Sequence, residues 1–388
     1  MMMSESRDRP LRLLAYSDSA IFSGAEAMFC EAVRGLNGRP SLAVRCAAPR
    51  GNPRMFEGLR EASGGVDPID VPAQSLPAAA LHLYDPRRRA AVSRAIGGET
   101  PDVLLVNLPS VEYGGTPLLV GNHPRTVGFL HVAGSPRALG FRLGWIRERL
   151  ARRVLGQLDD VCVVSPSVAR NFPRQWDVNG AGVHAVRLPK PSIEAVDRNR
   201  ARAELGLPSG MVVGIAGRIS FKQKGHDTLV EAAELLAERG VDVSYAVAGD
   251  GRDRDRLERS LDARGLHDRF HLLGHVQPVE LFLSALDAIV IPSRFEGLPL
   301  VALEALAVGV PGVVAATDGL QDVWPARWQV PAGNAARLAT SLEELLESPP
   351  QVRDELIREG REAMDRCTGD DIAQQLAAVV EGTREGTG

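Results

Sequence analysis

The sequence predicts an α/β protein made of two Rossmann-like, doubly wound domains facing each other across a cleft. Three observations predict it. Short, nearly continuous apolar runs recur along the chain, as expected of parallel strands covered on both faces. Helix-like segments of about 10–15 residues separate them, which makes βαβ units. A stretch at residues 188–199 (LPKPSIEAVDRN) has two prolines and no apolar period, and divides the series in two as a linker.

In chain order, residues 11–16 read as a strand, 19–26 as a glycine-containing loop, and the segment to about residue 36 as a helix. Further strands are expected at 42–47, 103–107, 126–131 and 161–165. Beyond the linker the pattern is clearer. Strands are expected at 211–216, 243–248, 270–273, 288–291 and 312–315, with helices at 227–239 and 254–264. Residues 351–381 read as helical. Open sheets of this class bind ligands beyond the carboxyl ends of their strands, so two such domains suit the transfer of a group between two ligands.

Composition narrows the function. The 388 residues are 44% apolar and 24% charged, the balance of a globular protein with sizeable cores. No apolar run reaches the roughly 18 residues of a transmembrane helix, and the N-terminus (MMMSESRDRPLRLL) does not read as a secretory signal. The four cysteines, Cys30, Cys46, Cys162 and Cys367, form no C-x-x-C, which fits a reducing cytoplasm and no cysteine zinc cluster. Basic residues outnumber acidic ones 24 to 17 up to residue 190; beyond it acids lead 32 to 21. The second half is therefore no candidate for nonspecific nucleic-acid binding. Only three of the 45 basic residues are lysines: Lys190, Lys222 and Lys224.

Four segments carry chemistry. The first runs from Pro292 to Pro311 (PSRFEGLPLVALEALAVGVP). Glu296 sits in the loop after a strand, and Gly297-Leu298-Pro299 opens a helix whose free N–H groups can receive an anion. Glu304 stands alone on that apolar helix, where a buried carboxylate needs a partner; ligand hydroxyls or an arginine would serve. The second segment, AGRISFKQKGHD from Ala216, puts Arg218, Lys222 and Lys224 past a strand end, as a diphosphate clamp or as a solvated basic loop. The third, DSAIFSGAE from Asp18, has small residues that let backbone approach a phosphate or an incoming hydroxyl. The fourth is His131, placed at a strand end to exchange a hydrogen bond with a substrate hydroxyl, or simply structural.

Other patterns are discounted. Asp253 and Asp255 form a D-x-D, but in a charged first helical turn where acids favour the dipole. His267, His271 and His275 fall on strand and turn, not on one helical face, so zinc is not expected. There is no P-loop, no full dinucleotide fingerprint and no G-x-S-x-G elbow. The segment from Arg137 to Arg153 (RALGFRLGWIRERLARR) is amphipathic and basic, with Leu143, Ile146, Leu150 and Val154 expected on one packed face. It reads as an ordinary helix on its sheet, with contact to an anionic membrane surface as the alternative.

Taken together, GR-x5-KG at 217–225, GDG at 249–251, LGHV at 273–276 and FEGLPLVALEALAVGVP resemble the retaining GT-B glycosyltransferases of family 4, the group 1 glycosyl transferases. The Glu296-x7-Glu304 pair matches that family's hallmark, and the likeness is dense from about 211 to 335. In the first half it is thinner, resting on SGAE at 23–26 and on His131. The resemblance implies a metal-independent transfer of a sugar from a nucleotide-diphosphate sugar to an acceptor hydroxyl, with retention and no resident cofactor. It implies that Arg218 and Lys224 hold the diphosphate and that Glu304 takes the ribose hydroxyls. Glu296, with the N–H groups of Gly297 and Leu298, would take the sugar. His131 would meet the sugar near the reacting carbon, Gly24 would lie near the phosphates, and Val276 would line the base. The family's late glycine-rich turn departs here, with Asp318-Gly319 and Asp322 in place of Gly-Gly and glutamate.

The domains expected are an acceptor-binding domain at 1–190, a donor-binding domain at 191–365, and a C-terminal helix at 366–388 packing back toward the first. The acceptor class, whether glycan, lipid-linked or small molecule, stays open, as do the base and the sugar. A cytoplasmic protein is expected, with peripheral contact at the inner membrane face through the arginine-rich segment. No nucleic-acid partner is expected. A sugar-nucleotide epimerase or a non-transferring binding protein on the same scaffold are the competing readings.

Overall fold

The computed structural model describes residues 9–382 apart from 75–81, 122, 139, 177, 179 and 370, so Leu139 of the arginine-rich segment lies outside it. The chain divides into two compact units. Unit 1 is Met1–Pro189 with Asp370–Gly388, and unit 2 is Lys190–Gly369.

Unit 1 holds β1 (Leu11–Tyr16), β2 (Leu42–Ala48), β3 (Ile69–Asp70), β4 (Val103–Leu108), β5 (Thr126–Leu130), β6 (Asp160–Val163) and β7 (Gly182–Ala185). They lie in the order 3-2-1-4-5-6-7, and every described pairing is parallel. Its helices up to residue 189 are α1 (Gly24–Asn37), α2 (Pro53–Ala62), α3 (Pro86–Ile96), α4 (Gly144–Leu155) and α5 (Pro166–Trp176). The runs VLLVNL of β4 and TVGFL of β5 are buried at every position, because helices cover both faces.

Unit 2 repeats the plan. Its strands are β8 (Val212–Ala216), β9 (Ser244–Ala248), β10 (Phe270–Gly274), β11 (Ala288–Ile291), β12 (Gly312–Ala315) and β13 (Gln329–Val330), in the parallel order 10-9-8-11-12-13. The helices are α6 (Arg198–Leu205), α7 (Phe221–Lys224), α8 (His226–Glu238), α9 (Arg254–Ala263) and α10 (Val279–Ser284), then α11 (Leu300–Val308), α12 (Leu320–Val323), α13 (Ala335–Glu347) and α14 (Pro350–Cys367). A last helix, α15 (Ile372–Val380), belongs to unit 1. In both sheets the order reverses direction between two neighbours, β1 and β4 or β8 and β11, and ligands of doubly wound sheets sit at such points.

The run from 351 to 381, read as one helical segment, is two helices with a break after Cys367. Asp371 caps the second by accepting from the Gln374 N–H. α15 packs on α1, so closely that a Cβ on Gly35 would stand 2.3 Å from that of Ala373. Arg125 Nη1 donates to Val380 O (3.2 Å) and Ser41 to Glu381 (2.6 Å). No helix among the described residues is long and apolar enough to cross a membrane.

The arginine-rich segment departs from its expected packing. α4 begins only at Gly144, whose backbone lies against Pro136 and Arg137; a Cβ there would meet Pro136 O at 2.7 Å. Leu143 is thereby left outside the helix, in a left-handed turn (φ 57°) and exposed, instead of joining a packed face with Ile146, Leu150 and Val154. Val154 is buried, while Ile146 and Leu150 are half-buried.

Candidate functional site

In unit 2 the singled-out residues gather around the loops that leave β8 and β11, the two strands at the reversal point. Glycines let those loops close on one another. Gly217, at φ 127° after β8, has the Lys224 side chain lying over it, and a Cβ there would come within 3.3 Å of that chain. Gly225, at φ 69°, sits where a Cβ would stand 2.2 Å from Pro292 O of the β11 loop. Gly319, at φ 80°, is tighter still: a Cβ there would overlap Gly297 O at 1.3 Å. The departure from Gly-Gly in the sequence thus keeps the glycine whose space is needed.

Lys224 and Glu296 meet directly. Lys224 Nζ donates to Glu296 Oε1 at 2.7 Å, and both side chains are largely buried. A buried pair of this kind survives only intact, since removing one partner strands the other charge. Arg218 stays exposed at the lip and reaches only the Gln223 amide, at 3.1 Å, which leaves most of its five donors for an anion. The Gly297 and Leu298 N–H groups take no acceptor among the described residues and precede α11, whose dipole favours negative charge. The helix starts at Leu300, with Pro299 extended at the cap, not inside the first turn as expected. Glu296 lies in the loop that precedes it.

Glu304 is half-buried on α11, and no arginine or other cation pairs with it among the described residues. Burial first, and then the charge of Glu280 on α10, raise its carboxyl from the ordinary 4.5 to about 7. A group so placed is short of hydrogen-bond donors, which ligand hydroxyls supply. α11 itself is pinned from behind: Arg361 of α14 donates to Leu306 O at 2.7 Å and to Ala307 O at 2.8 Å, capping its last carbonyls. Val276 lies half-buried in the loop between β10 and α10.

Sequence reasoning missed the groups that hold this arrangement. Arg294 grips Asp227 with two bonds of 2.8 Å and also donates to Phe221 O, while its N–H donates to Gln223 O at 2.8 Å. One side chain thus ties the Glu296 loop to the Lys224 loop. Ser293 Oγ and Thr317 Oγ1, past β11 and β12, are buried without a hydrogen-bond partner among the described residues. His226, buried beside Lys224, is pushed down to about 4 by desolvation and is neutral. The only local signal for Arg294 was its place between a strand end and Glu296; its partner Asp227 is 67 residues away.

Two of the discounted residues have structural partners, and a third, His271, keeps its Nε2 buried without one among the described residues. Asp253 accepts from the Phe221 N–H at 2.9 Å, His267 pairs with Asp262, and His271 lies on β10. Among the described residues no three His, Cys, Asp or Glu side chains cluster to hold a metal.

In unit 1, His131 follows β5 at its carboxyl end and is 6% exposed. Its Nε2 lies 3.0 Å from Asn107 Oδ1, and Phe129 packs edge-on against the ring. Desolvation lowers its pKa from 6.5 to about 3, so it is a neutral imidazole at physiological pH. Asn107 donates in turn to Ser17 Oγ at the end of β1. Gly24 is exposed in the first turn of α1, where Glu26 accepts from the Ser23 N–H and hydroxyl and from Ser19. Asp18 and Arg88 form a buried pair next to Tyr16.

Comparison with known proteins gives these observations a context. Residues 197–363 match the family described as glycosyl transferases group 1, and residues 23–194 match the glycosyl transferase 4-like domain. Over 187 residues the chain is 36% identical to the 2-deoxystreptamine glucosyltransferase of Streptomyces kanamyceticus, covering 44% of this chain and 48% of that protein. Over 174 residues it is 35% identical to the D-inositol 3-phosphate glycosyltransferase of Mycobacterium leprae, covering 44% and 39%. The match thus spans about half or less of each relative. Sucrose-phosphate synthase from Thermosynechococcus elongatus has the same fold, with a TM-score of 0.75 at 20% identity over 96% of this chain and 98% of that one. So does Anabaena HepE in complex with UDP and glucose, at 0.73 and 19% over 96% and 100%.

Proposed function

We propose, for a chain whose two halves each match a glycosyl transferase family, that it moves a sugar from a nucleotide-diphosphate sugar to an acceptor hydroxyl. The observation that carries the reading is the buried Lys224–Glu296 ion pair that joins the β8 and β11 loops, with exposed Arg218 on the first loop, the Gly297 and Leu298 N–H groups on the second, and Glu304 on the helix that follows. On this reading Arg218 and Lys224 hold the diphosphate and stabilise its charge as it leaves, with the Gly297 and Leu298 N–H groups adding preorganised donors. Lys224 then shares its charge between Glu296 and the phosphates. Glu296 accepts from sugar hydroxyls, Glu304 accepts from the ribose, and Val276 packs on the base. Ser293 and Thr317 supply hydroxyls that still lack partners.

His131 in unit 1 is the neutral partner of a sugar hydroxyl, oriented by Asn107, and Gly24 gives the phosphates close backbone approach. Unit 1 takes the acceptor. The C1–O bond to the diphosphate breaks as the acceptor oxygen attacks from the same face. The acceptor proton passes to the departing phosphate, and the configuration is retained without a metal ion or resident cofactor.

A product assay tests the reading. The full chain is incubated with labelled nucleotide sugars and hydroxylated acceptors, beside Glu304→Gln. A new glycoside with nucleoside diphosphate released, and at least tenfold less of both from the variant, is expected. An altered free sugar nucleotide and no glycoside would mean epimerisation; no turnover with any donor would leave binding alone, and either overturns transfer.

A further inference from the structure

The arginines of the 137–153 segment divide into two sets. Those that point inward are paired: Arg147 grips Glu112 with bonds of 2.6 and 2.7 Å, and Arg152 reaches Glu148 and Gln175 O. Arg142, Arg149 and Arg153 are exposed, and none has a carboxylate partner among the described residues. Glu148, the only acid of the segment, is already held by Ser135 and Arg152, with the charge of Arg137 close by.

Two large apolar side chains stand among the unpaired arginines. Trp145 is 61% and Leu143 49% exposed, the highest values for large hydrophobic residues in the described chain. Trp145, Arg149 and Arg153 fall at i, i+4 and i+8, so they share one face of α4. Leu143 is kept outside by its left-handed turn, a conformation that costs a leucine energy and persists because Gly144 is wedged against Pro136 and Arg137. Burying Trp145 and Leu143 in the unit's own core would have relieved both exposures; the backbone holds them out.

We infer that this face docks unit 1 on a lipid surface carrying anionic headgroups. An indole and an aliphatic chain flanked by arginines match the acyl boundary and the headgroup phosphates together. A second copy of the face would set arginine against arginine. A nucleic-acid backbone would take the arginines but leave Leu143 nothing apolar to cover. The inference goes beyond sugar transfer and does not depend on it.

Sedimentation of the full chain with vesicles tests the surface, using pure phosphatidylcholine and phosphatidylcholine with one-third phosphatidylglycerol. Binding only to the second, weakened by added salt, is expected. Removing Arg142, Arg149 and Arg153 together as Gln should weaken it by about fivefold per arginine. Leu143→Ser with Trp145→Ser should weaken it at unchanged charge, and unchanged thermal melting of both variants shows that the fold is intact. No binding to the anionic vesicles, or equal binding by wild type and both variants, overturns the proposal. So does a dimer in solution that the Leu143/Trp145 variant alone abolishes, since the occupant is then a second copy.

Discussion

Glu304 is a carboxyl on an otherwise apolar helix with no cation beside it, and its protonation carries a stability signature. Its folded value of about 7 lies above the ordinary 4.5, so the folded chain keeps a proton that the unfolded chain gives up between those values. Its contribution is complete below about pH 4.5, declines as the pH rises to about 7, and is gone above that. Urea denaturation of wild type should therefore lose on the order of 2 kcal/mol more between pH 5 and pH 8 than Glu304→Gln does. Parallel profiles would show that the carboxyl is ordinary. If ribose hydroxyls donate to the ionised form, donor binding will also tighten from pH 6 to pH 8 in wild type and not in the variant. Residues of this kind were legible in the sequence because the signal is local: a lone acid in an apolar helix, two of three lysines in one loop. Ser293 and Thr317 were not, since an unsatisfied hydroxyl shows only once its surroundings are packed.

At the scale of elements, the β8 and β11 loops depend on a side chain that contacts no proposed ligand. The Arg294 fork spans Asp227 and Phe221 O, and lysine cannot reproduce its two parallel bonds. Arg294→Lys should cost about 1–2 kcal/mol of unfolding free energy. It should also speed amide exchange at Lys224 and Gly225, measured by hydrogen–deuterium exchange. Unchanged exchange there would mean that the loops hold without the clamp. The strands singled out were read to within two residues, because runs such as β11 and β12 are short, apolar and buried at every position, whereas β7 (GVHA), half-buried and without an apolar run, was missed. β3 and β13, two residues each, carry no period to detect and exist only through pairing with β2 and β12. Helical periodicity misplaced Leu143 for a related reason: the chain folds back so that Gly144 meets the backbone of Pro136 and Arg137, a turn that periodicity does not show, and this decides where α4 starts.

For the whole molecule, α15 belongs to unit 1 although all of unit 2 precedes it in the chain. It covers α1 where Gly35 admits Ala373, and its end ties to Arg125 and Ser41. Ending the chain at Gly369 should uncover that face of α1 and make unit 1 unfold earlier, with unit 2 unaffected. Differential scanning calorimetry, with limited proteolysis to assign the transitions, measures this, and an unchanged unit 1 transition would show α15 to be dispensable. The duplicated strand order, 3-2-1-4-5 in one unit and 10-9-8-11-12 in the other, brings the Lys224 and Glu296 loops to adjacent strands. That there are two such sheets followed from alternating strands and helices; which loops would touch did not, because it needs the strand order.

The central claim is that unit 2 grips a diphosphate between Arg218, Lys224 and the entry to α11, with a carboxyl beyond each end. A thermal-shift panel of UDP-, GDP-, ADP- and TDP-glucose tests it on the full chain beside Glu304→Gln. A ligand at about 100 times its dissociation constant adds roughly 2.7 kcal/mol of stability, so one base should raise the unit 2 transition by about 5–10 °C. The account predicts that rise in wild type and a much smaller one in the variant. No shift with any of the four, or the same shift in both proteins, would contradict it.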